Sequence, residues 1–313
     1  MEKVELKKRV AQLSEFPDFA DDGIKFDFTF DLNRRDLYGS LIEEFKLDEV
    51  TAGYEDVDLM LVLLTWLNNN FKHNGASDMP EKRDAVSIVG YIRENPEGIN
   101  CRGLSILYAE LLRLYGIEAK HITCMPLEDD YYVHVVTHAF SRKLQQWIMI
   151  DPSFGLYFKD ADGNYMDLHA LRCVFAEGTH EKLIAPKNHP WFEMGEWASF
   201  MSDYLFRFST ATNFTFGSDF SPNIELRENS IMLIPVGFSG NRPAPKPHSA
   251  IFSVFLPKCY SVRTPTYLRV CGEPAALHFN KNPQKSDESR FQNRSNDSDL
   301  VTTSAENFFA PPK

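Results

Sequence analysis

Residues 98–116 read GINCRGLSILYAELLRLYG, and this stretch constrains the fold more than any other because it joins a helix start signal to a cysteine. Asn100 is of the residue type that caps helix N-termini, and Gly116 is of the type that follows a helix C-terminus. Apolar side chains recur between them at helical spacing, at Leu104, Tyr108, Leu111, Leu112 and Tyr115. The pattern predicts an amphipathic helix that packs on a core and carries Cys101 in its first turn.

A cysteine near a helix start most often fills a core, whereas a reactive thiol gains chemically from the position. A helix N-terminus stabilises a nearby negative charge by about 0.3–1 kcal/mol, and at best by about 2 kcal/mol. That lowers a thiol pKa of about 8.5 by at most about 1.5, which leaves at least about half of the thiol protonated at neutral pH. If Cys101 is a nucleophile, it therefore needs a basic partner, and the partner needs an orienting group.

A predicted hairpin downstream offers both groups. The segment VHVVTHAF (133–140) and the segment WIMID (147–151) read as its strands. If Arg142 faces Trp147, His138 lies directly opposite Asp151; if Ser141 faces Gln146, the two are one diagonal step apart. His134 shares the face of His138, but four strand residues separate them by roughly 13 Å. We therefore expect only one of the two histidines to reach Cys101.

The other segments predict a mixed α+β fold. Strands are predicted at 25–32 and 117–125, and helices at 35–47, 55–73, 83–95, 166–178 and 192–209. Residues 160–164 (DADGN) predict a turn. Beyond residue 220 the pattern predicts strands at 230–238, 250–257 and 266–271, then a polar loop at about 280–299. Apolar residues return in LVTTSAENFFAPPK (300–313), so we expect this end of the chain to be coupled to the core.

Composition narrows the class of protein. The chain has 313 residues, 43% of them hydrophobic, and a net charge of −11, so nucleic-acid binding is not expected. No secretory signal and no run of about 20 apolar residues is present, which predicts a cytoplasmic protein without a membrane partner. The five cysteines include no C-x-x-C pair, which argues against a disulfide framework or zinc finger. Four of them read as apolar fillers: Cys124, Cys173, Cys259 and Cys271.

Metal binding and cofactors are not expected. The segment HVVTH (134–138) has the H-x-x-x-H spacing of a zinc helix, but it lacks the glutamate of that motif and its β-branched run favours a strand. The acidic turn DADGN lacks the glycine position and the closing glutamate of a calcium loop.

Two segments resemble the transglutaminase-like superfamily. NCRGLSILYAELLRLYGIEAKHI (100–122) is similar to its cysteine motif, and THAFSRKLQQWIMIDPS (137–153) is similar to its second half, with Phe140 in place of the commoner Trp. The resemblance covers about 55–175 and is absent beyond about 210. Within the superfamily, the chain most resembles bacterial transglutaminase-like proteins whose substrates are unassigned.

The resemblance implies a papain-like core, with helices packed on an antiparallel sheet and Cys101 at a helix N-terminus. It implies Cys101 as nucleophile, His138 as base and Asp151 as the orienting group. A catalytic domain is then expected at 1–210 and a β-rich part at 211–313.

The implied activity is that of a thiol enzyme that acts on an amide of a peptide or protein through an acyl-thioester. Water as acceptor makes it a protease or amidase, and an amine makes it an acyltransferase. The alternative is a catalytically silent binding module that keeps the fold. The backbone N–H of Cys101 is the expected oxyanion donor, with weak side-chain candidates in Asn69, Asn70 and Asn95.

Overall fold

The structure is a computed structural model that describes residues 2–19, 27–127, 132–186, 194–215, 230–238, 301–302 and 304–312. Its α-helices are α1 (Glu2–Glu15), α2 (Arg35–Phe45), α3 (Leu47–Thr51), α4 (Asp56–Asn70), α5 (Ala85–Glu94), α6 (Cys101–Leu114), α7 (Leu168–Ala176), α8 (Met194–Tyr204) and α9 (Ala305–Phe308). Its strands are β1 (Thr29–Phe30), β2 (Ala119–Met125), β3 (His134–Ser141), β4 (Gln146–Asp151), β5 (Leu156–Tyr157), β6 (Arg207–Ala211), β7 (Asn213–Phe214), β8 (Ser230–Leu233) and β9 (Val301–Thr302). A short 3₁₀ helix covers His180–Lys182.

A seven-stranded sheet organises the fold, in the order β5-β4-β3-β2-β6-β8-β9. Its neighbours are antiparallel except β8 and β9, which pair in parallel. β1 and β7 form a separate parallel pair. The predicted α+β class, with helices on an antiparallel sheet, is confirmed.

The sheet lies between two helical layers, because its strands bury apolar side chains on both faces. One core joins α2, α4, α5 and α6 to inward residues of β2, β3 and β4, such as Ala119, Ala139 and Ile148. The other joins α1, α7, α8 and α9 to Ile122, Val136 and neighbouring residues. Such double coverage explains why the burial of β3 is continuous along the strand.

Helix α6 crosses the first core, and its ends form as its sequence predicts. The side chain of Asn100 accepts a hydrogen bond from the Gly103 N–H at 3.0 Å and caps the helix. Gly116 has φ +82°, a conformation open to glycine, and its N–H bonds to the carbonyl of Arg113. The predicted amphipathic helix with Cys101 at its start is therefore confirmed.

Helix α6 and strand β3 run in the same direction. Cys101 Sγ lies 4.0 Å from the carbonyl oxygen of Val133, and one turn later Ser105 Oγ donates to the carbonyl of Val135 at 2.8 Å. β2 returns along α6 and β3 returns along β2. The first residues of β3 therefore lie beside Cys101, and its last residues lie beside the other end of the helix.

Two predicted elements differ most from the structure. Of the described residues 27–32 in this range, only Thr29–Phe30 form a strand, where pairing with β7 supplies a partner. The predicted helix 192–209 ends at Tyr204, and Arg207–Ala211 forms β6 between β2 and β8. There Phe206 and Phe208 are buried at period two, a spacing that the helical pattern before them obscures.

The C-terminal part is described in three pieces. β8 and β9 extend the same sheet as β2–β4, and Phe308 of α9 is fully buried. The strands predicted at 250–257 and 266–271 and the polar loop at 280–299 lie outside the described residues. The predicted boundary near residue 210 stays a prediction. Within the described ranges, no helix is long and apolar enough to cross a membrane.

Candidate active site

Cys101 is the first residue of α6 and is half-buried. The preceding residues are held by a neighbouring segment: the Ile99 N–H donates to the Lys72 carbonyl at 3.1 Å, and the Asn74 N–H donates to the Ile99 carbonyl at 2.8 Å. The thiol is therefore fixed on one side by the helix start and on the other by residues 72–74.

His134, the first residue of β3, links the thiol to a carboxylate. Its imidazole hydrogen-bonds to Cys101, and its Nε2 lies 2.8 Å from Asp151 Oδ2. The second oxygen of Asp151 accepts from the Ser153 N–H at 3.0 Å, in the turn that follows β4. His134 is 2% exposed and Asp151 is fully buried, so water weakens this contact little.

The electrostatics favour a charged pair. Burial raises the pKa of Cys101, but hydrogen bonds and charge from His134 and His73 outweigh it and lower that pKa to about 5. Burial lowers the pKa of His134, but Asp151 and the Cys101 thiolate outweigh it and raise that pKa to about 10. At neutral pH the site therefore holds a thiolate and an imidazolium, the reactive form of a cysteine nucleophile.

Residues 48–152 of the chain match the family model of the Transglutaminase-like superfamily. This part of the chain is a transglutaminase-like domain. The matched range runs from α3 to the residue after Asp151, so it contains Cys101, His134 and Asp151.

Comparison with other proteins adds little to what the family model shows about the transglutaminase-like domain. A solved structure from Cytophaga hutchinsonii, provisionally named a cysteine protease, aligns at 16% identity and a TM-score of 0.30. The alignment covers 51% of this chain and about half (50%) of that protein. At that TM-score the likeness supports no argument. None of the curated proteins matches the chain significantly.

The histidine that lies beside Cys101 and Asp151 differs from the sequence prediction. Ser141 pairs with Gln146, which is the second of the two predicted registers, so Asp151 falls opposite Val136. His134 and His138 are then each one diagonal step from Asp151. Asp151 pairs with His134, because His134 lies at the end of β3 beside Cys101.

His138 has a different environment. Its Nε2 accepts a hydrogen bond from the Leu168 N–H at 3.0 Å, and its ring packs against Trp147 and Phe309. Burial and the nearby Lys120 charge hold the pKa of His138 well below its usual range. His138 is thus a neutral core histidine, and its predicted role as base is wrong. Cys101 and Asp151, by contrast, lie at one site as predicted.

His73 is a second histidine at the thiol that sequence reasoning missed. It lies between α4 and α5 and pairs with Ile99 in a parallel bridge. Its imidazole hydrogen-bonds to Cys101. No sequence pattern identifies His73, because it lies 28 positions before Cys101 and only the fold brings the two residues together.

The three asparagines named as candidates for a second oxyanion donor have other surroundings. The side-chain amides of Asn70 and Asn95 donate to carbonyls one turn back, those of Trp66 and Tyr91. Asn69 is exposed on the end of α4. These predictions are wrong for Asn70 and Asn95, whose amides serve their own helices.

The other two described thiols are not activated. Burial raises the pKa of Cys124 well above the ordinary value, and burial also raises the pKa of Cys173. Cys259 and Cys271 lie outside the described residues. Among the residues that the structure describes, no group of three or more His, Cys, Asp or Glu side chains is arranged to hold a metal ion.

Proposed function

We propose that the protein is a cysteine-dependent enzyme that acts on an amide bond of a peptide or protein, either in the backbone or in a Gln or Asn side chain. Cys101 is the nucleophile, His134 the general acid and base, and Asp151 the group that orients His134. The single observation that supports this most is the hydrogen-bonded series from Cys101 through His134 to Asp151 Oδ2.

The proposed reaction follows from these contacts. Cys101 Sγ attacks the amide carbonyl carbon, and the π-bond electrons move to the carbonyl oxygen. The tetrahedral intermediate then collapses, the C–N bond breaks, and the His134 imidazolium gives its proton to the leaving amine. Neutral His134 next takes a proton from water or from a second amine, which attacks the thioester and releases Cys101 as thiolate.

A silent binding module is the weaker alternative. A buried ion pair costs desolvation energy that a well-packed apolar pair does not. A module that only binds would have no use for a thiol whose pKa is near 5 beside an imidazolium.

The test is the pH dependence of Cys101 alkylation by iodoacetamide, with adduct mapping by mass spectrometry and Cys101→Ser as control. We expect adducts on Cys101 at pH 6, with half-maximal rate near pH 5, since only the thiolate reacts. Preferential labelling of Cys124 or Cys173, or a half-maximal rate above pH 8, would contradict the proposal.

Turnover separates hydrolysis from acyl transfer. The reaction is followed on a peptide library with a fluorescent primary amine in ¹⁸O-labelled water. Heavy oxygen in the product acid indicates hydrolysis, and fluorescence on the peptide indicates transfer. We expect either hydrolysis or acyl transfer to depend on Cys101. Its rate should rise through about pH 5, where the thiolate forms, and fall through about pH 10, where His134 loses the proton that it gives to the leaving group. Equal signals from wild type and Cys101→Ser would sink the enzyme assignment.

A further inference from the structure

Two imidazoles, not one, surround the thiol. His134 and His73 both hydrogen-bond to Cys101, and both rings pack near Phe154, with ring centroids 5.8 Å and 6.1 Å from its centroid. His134 carries the carboxylate of Asp151 and is assigned above as acid and base. The second imidazole therefore calls for a different role.

The position of His73 is fixed relative to the backbone of Cys101. Residues 72–74 and 98–99 pair in parallel through the two backbone hydrogen bonds to Ile99 described above. The contact is so close that a Cβ on Gly98 would lie 2.4 Å from the Lys72 carbonyl oxygen. His73 and the first N–H group of α6 thus belong to one rigid unit around Sγ.

The direction of the hydrogen bond indicates its use. The bond from His73 favours the thiolate, so the ring donates an N–H to sulfur. During attack the negative charge leaves Sγ and appears on the carbonyl oxygen, which is separated from sulfur only by the carbonyl carbon. A donor that points at Sγ therefore lies close to both Sγ and the carbonyl oxygen. As the charge moves, the donor loses the thiolate as its acceptor while the oxyanion forms beside it.

We propose that His73 is an oxyanion donor, which stabilises the tetrahedral intermediate together with the backbone N–H of Cys101. The first N–H groups of a helix have no intrahelical acceptor, so the N–H of Cys101 can serve this purpose. This role rests on the proposed function of Cys101 as nucleophile. His73 itself gains and loses no proton: Sγ forms the bond to carbon, the carbonyl π electrons move to oxygen, and the leaving group departs with the proton of His134.

The experiment compares two reactions of the same thiolate. Alkylation by iodoacetamide displaces iodide and forms no oxyanion, whereas acylation by p-nitrophenyl acetate passes through a tetrahedral oxyanion and releases p-nitrophenolate. Both rates are measured in the full chain for wild type, His73→Phe and His73→Gln. Each variant is measured at the pH where its own alkylation rate is maximal, so that every variant is compared as thiolate.

Loss of one oxyanion donor typically lowers the rate by about 10²–10³. We expect His73→Phe to lower acylation by about that factor while its maximal alkylation rate changes by less than about threefold. His73→Gln keeps a donor N–H, and we expect it to recover most of the acylation. If His73→Phe does not fold, as judged by circular dichroism, His73→Leu replaces it in the comparison.

Two failures are distinguishable. If both rates fall in parallel in His73→Phe, or if His73→Gln acylates no faster than His73→Phe, the oxyanion role is wrong while Cys101 remains the nucleophile. If wild type reacts with neither probe faster than Cys101→Ala, the proposed function itself is wrong.

Discussion

At the scale of single residues, the same side chain has opposite properties at two positions of one strand. His134 lies beside Asp151 and Cys101, and its pKa is raised to about 10. His138 lies beside Lys120 and aromatic rings, and its pKa is lowered well below the usual range. Both are buried on one face of β3, so burial alone does not decide which one is charged. At His134 the charges of Asp151 and Cys101 outweigh the effect of burial on the pKa, whereas at His138 burial and the Lys120 charge lower the pKa together.

The sequence was sufficient to predict that Cys101 and Asp151 lie at one site, but not which histidine lies between them. Both histidines are one diagonal step from Asp151 in the observed register, so pairing rules leave the choice open. The direction of the chain resolves it: β2 returns along α6 and β3 returns again, which brings the start of β3 to Cys101. His73 could not be predicted, because its position depends on the packing of two distant segments.

Matched replacement of the two histidines tests this assignment. In His134→Gln we expect the half-maximal pH of Cys101 alkylation to move from near 5 toward the ordinary thiol value of about 8.5, and turnover to fall strongly. In His138→Gln we expect the pH profile of alkylation to stay at the wild-type value, with a lower melting temperature, because a buried ring and its bond from Leu168 are lost. The reverse pattern would restore His138 as the base.

At the scale of elements, the site depends on the close approach of residues 72–74 and 98–100. Gly98 has φ +112°, and it contacts the Lys72 backbone where any side chain would collide. The helix start at Asn100 was readable in the sequence because capping is local. The partner segment was not, since no periodic pattern marks a single bridge between a loop and a helix start.

Replacement of Gly98 by alanine tests that contact. We expect Gly98→Ala to lower the free energy of unfolding by about 1–3 kcal/mol, because φ is positive and the Lys72 carbonyl must move. The rate of Cys101 alkylation should also fall in Gly98→Ala. Gly90→Ala is the control: Gly90 lies in α5 with nothing within 4 Å of the added Cβ, so its stability should be unchanged or up to about 1 kcal/mol higher. Urea titration measures the free energy of unfolding of both variants, and equal stabilities would contradict a close contact between Gly98 and the Lys72 backbone.

At the scale of the whole molecule, the end of the chain closes the second core. Phe308 is fully buried, Lys120 Nζ donates to its carbonyl at 2.7 Å, and Trp147 Nε1 donates to the carbonyl of Ala310 at 2.8 Å. The paired phenylalanines were enough to predict this return to the core. The aromatic surroundings of Lys120 were not predictable, because its neighbours Phe28, Trp147 and Phe308 are scattered along the chain.

Truncation tests the contribution of this end. Deletion of 304–313 should lower the melting temperature markedly, because loss of one buried phenylalanine alone typically costs about 3–5 kcal/mol and Lys120 loses its acceptor. Deletion of 311–313 is the matched control, since it keeps Phe308 and both hydrogen bonds, and it should change the melting curve little. Thermal unfolding by circular dichroism compares the two, and identical curves for both deletions would argue against the coupling.

The parallel pairing of β8 with β9 places Ile231 opposite Val301, so two points far apart in the sequence become neighbours in one sheet. The covalent connection between them is then not what holds the last residues in place. If the chain were cut between 239 and 300, the final dozen residues would behave as a peptide ligand for the rest of the protein, with Phe308 as the anchor and Lys120 and Trp147 as its receptor groups. The intact chain presents that peptide at a high effective concentration. A protease that cuts the connection would therefore turn an intramolecular folding contact into a reversible binding equilibrium between the last residues and the rest of the protein.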